Sequence, residues 1–347
     1  MPRTVPSRPS AVRTRPRGYR TGMSSLHVGL VADPAKPTEV AEGMTDDGQP
    51  WELEVVSEPF TLACEDVGTV LARLGEHAED HDWDLVVGLT ELPLRDADGR
   101  YLLVETDAAQ KAAVVSLPAL GGLRPHRRAR RTVQRLIRGM ADTDGGGSHR
   151  VPLPHRGGRL RLLLGMVLAN RPWMLVPGLK SALVAAITTG AIATINSTVW
   201  LLADSLSWWR LAVAAIVSLG LVVGWIVIDG ELWDRPEDDA PETRERSRLY
   251  NASTLLTLTT GALICYAALY LLNLAWAFFI LDPGLMGGYL QQHVDHSDLF
   301  VLAWFVASAA TVGGALGSGL ESDEAIRAAA YSKREEERRS RLAEERG

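Results

Sequence analysis

The residues of this 347-residue chain best spaced for chemistry are His293, Asp295, His296 and Asp298. Imidazole and carboxylate together are divalent-cation ligands, and imidazole also titrates near neutral pH. Four polar neighbours fix no coordination geometry, so the same run also reads as a solvated loop ahead of an apolar segment. His126, His149 and His155 lie among arginines and glycines, where positive charge opposes a metal, and read as surface residues. Ser116 and Ser148 lack a G-x-S-x-G setting, and no Walker or dinucleotide glycine pattern occurs. Cys64 and Cys265 fall in a charged and an apolar segment, which argues against pairing. No catalytic residue and no cofactor is expected, and the balance leans away from an enzyme.

Around these residues the chain divides in two. Whole-chain values of 46% hydrophobic, 22% charged and a net charge of −6 describe neither part. Beyond Arg161 come four long uncharged runs, each near the 20 or so residues that a bilayer-crossing helix needs. The expected spans are about 181–203, 211–228, 255–281 and 299–320, within a membrane domain at 161–320. Lys and Arg alternate between the flanks. Arg156, Arg159, Arg161, Arg171 and Lys180 precede the first span, only Arg210 follows it, and Arg235, Arg244, Arg246 and Arg248 follow the second. The segment 282–298 has no Lys or Arg, and the tail has seven. That asymmetry predicts both termini on the cytoplasmic side of a plasma membrane. Trp200, Trp208 and Trp209 bracket the short outer loop, as amphipathic indoles do at an interface. Leu160 to Ala169 is too short to cross, and predicts an interfacial helix entering the bilayer at Pro172.

None of the spans carries a central ionisable residue, which weighs against a proton-coupled carrier. Small residues stand out instead: Gly220 and Gly224 in the second span, and Ala309, Gly313 and Gly317 in the fourth. Their spacing lets two helix backbones approach, within one bundle or across a homo-oligomer. Thr194, Asn196 and Asn273 are polar enough to form interhelical hydrogen bonds, or to line a path for a neutral substrate.

Residues 1–24 hold six arginines and four prolines with no acid, and read as a disordered basic arm, unless translation begins at Met23. Residues 25–123 form an acidic domain: from Ser25 to Leu120, 20 acids face five bases. Strand-like runs at His27 to Ala32, Trp51 to Val56, Leu85 to Leu89 and Ala112 to Leu117 alternate with helical spacing at Thr38 to Met44 and Val67 to Ala78. Tyr101 to Val104 reads as an edge strand. Residues 124–160 are expected to hold a basic helix, then a Gly145-Gly146-Gly147-Ser148 linker to the membrane. On that helix Arg127, Arg128, Arg131, Arg135 and Arg138 surround Val133 and Ile137, and suit the anionic leaflet or the acidic domain itself. Without interleaved aromatics, nucleic acid is not the expected partner. The tail, 321–347, mixes eight acids with seven bases as a solvated helix does.

Two resemblances follow. The dominance of Arg over Lys and the four spans look like a multi-span membrane protein of a high-GC, actinobacterial-type genome. Asp84-Leu85-Val86-Val87-Gly88-Leu89-Thr90-Glu91-Leu92-Pro93-Leu94, then Ala113 to Leu117, then a helix, resembles the strand order of archaemetzincin-type metalloproteases. In that family the helix carries HExxHxxGxxH. Here Thr132-Val133-Gln134-Arg135-Leu136-Ile137-Arg138-Gly139 stands there, so the resemblance implies a scaffold without its zinc ligands. The overall expectation is α+β: a small cytoplasmic α/β domain followed by a four-helix transmembrane bundle. Its role would run through protein or lipid contacts; a small carrier or channel for a neutral substrate and a degenerate metalloprotease are the alternatives.

Overall fold

The computed structural model describes residues 26–44, 50–61, 67–96, 99–122, 124–141, 149–154, 157–236 and 240–317. The expected basic arm, the Gly145–Ser148 linker and the tail from 321 lie outside the described residues.

The first half is a three-layer α/β domain. Its strands are β1 (Leu26–Ala32), β2 (Trp51–Ser57), β3 (Leu85–Thr90), β4 (Leu94–Arg95), β5 (Tyr101–Asp107), β6 (Ala112–Ser116) and β7 (His149–Pro152). They form one mixed sheet ordered β2-β1-β3-β6-β5-β4, with β7 also on β5. The β2, β1, β3 and β6 strands run parallel, and β5 is antiparallel to β6. Central β3 and β6 are buried along their whole length, as uninterrupted apolar runs require when helices cover both faces. On one face lie α1 (Lys36–Glu42) and α3 (Pro125–Ala141), with Val40, Ala129, Val133 and Ile137 against Leu30, Val87 and Val115. On the other lies α2 (Val67–Asp80), with Val70, Leu71 and Leu74 against Val31, Val86 and Val114.

Two expectations fail here. Tyr101 to Val104 is not an edge strand, because β5 is flanked by β6 and β4 along one side and by β7 on the other: Leu102 pairs with both Leu94 and Pro152, and Val104 with both Val115 and Val151. The segment 124–160 is not a helix followed only by a linker: of the two placements expected for the helix, on the leaflet or on the domain itself, the second is observed, but a further strand follows it. Its helix packs on the sheet, and the chain returns as β7 before leaving. Only four residues between glycines and prolines form β7, too few for a visible period-2 pattern. What fixes it is remote: Arg150 Nε donates to the buried Glu105 carboxylate at 2.7 Å, and Thr106 Oγ1 and His149 exchange hydrogen bonds.

The second half is helical: α4 (Gly158–Ala169), α5 (Leu175–Gly178), α6 (Lys180–Thr194), α7 (Ser197–Ser205), α8 (Trp208–Asp229), α9 (Pro241–Ile280), α10 (Pro283–Leu290) and α11 (His296–Gly317). Three of them, α8, α9 and α11, are long and apolar enough to cross a membrane. A fourth crossing exists only if bent pieces are joined, Gly158–Gly178 meeting Lys180–Thr194 at 56°. The expected continuous span over 181–203 is therefore broken, after only 15 helical residues in α6. Asn196 causes the break: its side-chain oxygen accepts from Thr198 N and caps α7, a local bond that competes with the helical ladder. Trp200 Nε1 then donates to the Thr194 carbonyl, at 2.7 Å. By contrast α9 is longer than expected. Its 40 residues measure about 60 Å, roughly twice a bilayer's hydrocarbon thickness. Its first two turns carry the charged run Arg244 to Arg248.

The helices α6, α8, α9 and α11 pack around one another. Where α6 meets α11, Ala310 packs with Ala186, and a Cβ on Gly314 would stand 3.0 Å from the Ala182 carbonyl oxygen. This is one residue off the expected Ala309 and Gly313 register: Ala309 is exposed and Gly313 merely approaches Thr189. Gly317 lies on the last turn of α11. Gly220 and Gly224 meet nothing, since a Cβ on either would have no neighbour within 4 Å. They face away from the other described residues.

Candidate functional site

Two places gather groups that the fold alone does not need: the outer face of α3 and the junction of the sheet domain with α4 and α9.

On α3 the apolar residues Ala129, Val133 and Ile137 recur at helical spacing and are buried on the sheet. Geometry then forces the arginines between them outward. Arg127, Arg131 and Arg135 are exposed, stacked at intervals of four, and paired with no carboxylate among the described residues. The expected set divides there. Arg128, also exposed, reaches back to donate to the Leu120 carbonyl at 2.7 Å, and Arg138 lies over the Trp51 ring. Leu120 lies just past the carboxyl end of β6, whereas Trp51 opens β2 at the opposite edge of the sheet. So α3 runs antiparallel to the parallel strands, from the α4 side of the domain to its far side.

The junction is dense. A Cβ on Gly165 of α4 would fall 2.1 Å from the Pro118 carbonyl oxygen, so only glycine allows the helix to rest on the 3-10 turn Pro118–Leu120. Leu162 and Met166 are buried with Ala119 and Tyr101. Glu245, on the charged start of α9, accepts from Arg159 of α4 and faces Arg95 of β4 at 3.8 Å. Arg171 Nη2 meets Glu39 of α1 at 2.5 Å. Arg161 Nη2 donates to the Leu120 carbonyl at 2.9 Å, the oxygen that Arg128 also binds. Burial, and then the neighbouring Arg128 charge, lower the Arg161 guanidinium from its ordinary value. None of Glu245, Arg159, Arg95 or Gly165 stood out in the sequence. A glutamate between two arginines on a helix looks like any solvated charge run, and its partners are more than eighty residues away.

The carboxyl ends of β1 and β3, where the chain leaves in opposite directions, are where open α/β sheets hold ligands. Next to it the chain's own loop after β3 ties the ends of β3 and β6 together. Leu92 N donates to Thr90 Oγ1 at 3.0 Å, and Ser116 Oγ donates to Leu92 O at 2.8 Å. Asp33 is fully buried beside it and accepts from Thr61 Oγ1 at 3.3 Å.

The histidine–aspartate cluster serves a helix end. Asp295 accepts from Ser297 N at 2.6 Å while Asp298 accepts from Asp295 N at 2.9 Å, the reciprocal bonds of a capping box at the start of α11. Hydrogen bonds from Ser297 hold the Asp295 carboxyl below the usual range. His296 stacks on Phe278, at 5.8 Å between ring centres. Among the described residues no three His, Cys, Asp or Glu side chains converge as metal ligands. The polar residues of the apolar helices bond to nearby backbone: Thr194 Oγ1 to Gly190 O, Thr260 Oγ1 to Leu256 O, Asn273 Nδ2 to Leu269 O. Between α6, α8, α9 and α11 is a cavity of about 50 Å³, lined mainly by carbon from residues such as Leu179, Leu219, Cys265 and Leu269.

The arrangement defines a class, an α/β domain seated on a bundle of three to four apolar helices of membrane-spanning length. No protein family, curated protein or solved structure matches the chain.

Proposed function

We propose that this is a multi-span plasma-membrane protein that presents its sheet domain at the cytoplasmic surface as a rigid docking module. The observation that carries this reading is the outward arginine stripe Arg127, Arg131, Arg135 on an otherwise acidic domain. The seated domain holds α3 directed away from the α4 contact, so the far end of the stripe is offered to a cytosolic partner rather than laid on lipid. An acidic protein segment is the complementary surface; rim charges of this kind speed encounter and select partners. The Lys/Arg asymmetry of the flanks supports the cytoplasmic placement. Against a polar path through the bundle stands the local bonding of Thr194, Asn196 and Asn273. As for ancestry, the metalloprotease-like strand order leaves α3 where the zinc helix would be, with arginines in place of ligands.

The test has two parts. A cysteine at Arg135→Cys should resist an impermeant thiol reagent in intact cells and react in inverted vesicles; labelling from outside would end the reading. Reversing Arg127, Arg131 and Arg135 to Glu should abolish crosslinking to an acidic cytosolic partner while membrane insertion is unchanged.

A further inference from the structure

We propose that the notch between α3 and α4 binds a phosphate group of an anionic lipid, held by Arg128 and Arg161. Two guanidinium groups there share a single neutral acceptor. Arg128 Nη1 and Arg161 Nη2 reach the Leu120 carbonyl at 2.7 and 2.9 Å, which puts the two charged nitrogens within about 6 Å of each other. Neither has a carboxylate partner among the described residues, although the other junction arginines do: Arg159 has Glu245 and Arg171 has Glu39. Each guanidinium has five N–H donors, and one carbonyl answers one from each. Arg161 Nε is sealed from solvent without an acceptor among the described residues.

The surroundings favour an anion. Gly121 has φ +82°, and a Cβ there would stand 2.9 Å from Arg161 Cγ and 3.3 Å from Arg128 Nη1, so glycine keeps the two side chains side by side. The amino end of α3, a 17-residue helix with no acid in its first turn, adds positive partial charge. Paired guanidinium forks match the oxygens of phosphate better than a single carboxylate. The source is argued from α4 itself. Leu160, Leu164 and Leu168, four apart on one face, are all exposed, with Trp173 and Met174 beyond them. An apolar stripe beside cations is the pattern of a helix lying in the headgroup boundary, which brings Arg161 to phosphate depth. The inference rests on the proposed placement of α4 at the membrane surface.

The full-length chain is incorporated into nanodiscs of phosphatidylcholine alone or with phosphatidylglycerol, and thermal unfolding is followed. Flotation with the neutral discs tests the placement separately. Phosphatidylglycerol should raise the unfolding midpoint by about 5 °C. Arg128→Gln with Arg161→Gln should lose most of that rise, while Arg127→Gln, Arg131→Gln and Arg135→Gln together, which remove more charge, should keep it. If inorganic phosphate added to neutral discs gives the same rise with the same dependence on Arg128 and Arg161, the notch is a phosphate site filled from solution and the lipid source is overturned. No difference between the discs for the wild-type chain, whatever the variants do, overturns the site. So does a rise abolished only by the triple variant.

Discussion

The helices α4 and α8 make an instructive pair. Both are apolar with spaced glycines, and α8 has the more conspicuous motif, Gly220 and Gly224 four apart. Yet Gly165 of α4 rests on backbone at a distance only glycine permits, while both α8 glycines face open space. A glycine in an apolar helix signals permission for close approach, and the partner decides whether that permission is used. The α4 contact is fixed by things absent from its own segment: the Pro118–Leu120 turn, and Glu245 of α9, which pairs with Arg159. The result is a sheet domain seated on the bundle.

The sharpest way to break the contrast is a bulky residue at each glycine. Gly165→Val should destabilise the full chain by ~3 kcal/mol and open the junction to protease, because the new methyls have nowhere to go. Gly220→Val and Gly224→Val should stay within ~0.5 kcal/mol in dilute detergent. A comparable loss at α8 would reveal a partner there and dissolve the comparison. Next in size, Gly190→Leu on α6 should cost about 2 kcal/mol, because its Cβ would lie 2.2 Å from Asn273 Oδ1 of α9. Thermal unfolding in detergent reads this directly.

A smaller effect is expected at Glu245→Ala. Its carboxylate is 40% exposed, so the loss of Arg159 and Arg95 as partners should cost under about 1 kcal/mol, shrinking further at high salt. A larger, salt-insensitive loss would mean that the ion pairs, rather than Gly165, hold the junction. The smallest concerns Asp295. Its folded pKa lies below the unfolded value of about 3.9, so the α11 cap is at full strength above that value and fades as pH falls through the lower folded one. Asp295→Asn should therefore leave the stability difference between pH 5 and pH 8 unchanged, as read by chemical denaturation at each pH.

Much of the architecture was legible because burial writes a period. The continuous apolar runs Leu85 to Leu89 and Ala112 to Leu117 became central parallel strands, and Val67 to Ala78 became a helix within two residues of its observed end. The apolar character of 211–228 and 299–320 likewise matched α8 and α11. Features set by remote partners were not legible. Four-residue β7 depends on Glu105, and the seating of α4 depends on Pro118. The ridge on α11 is one residue from the expected one because only the position of α6 tells Ala310 from Ala309. The break at Asn196 was the one miss with a local signal: Asn and Ser ahead of a short apolar run are helix-cap residues, here in the middle of an apolar segment. Of the candidate sites, the arginines of α3 were visible as a group, but the separation of Arg128, tied to the Leu120 carbonyl, from Arg127, Arg131 and Arg135 needed the position of the turn before α3.

The most direct measurement is the distance between two spin labels, one at Arg135→Cys on α3 and one at Asp229→Cys at the end of α8, with Cys64 and Cys265 replaced by alanine. A domain seated as described gives one narrow distance distribution in nanodiscs. A broad distribution spread over tens of ångströms, as a chain swinging on a flexible tether produces, would contradict it.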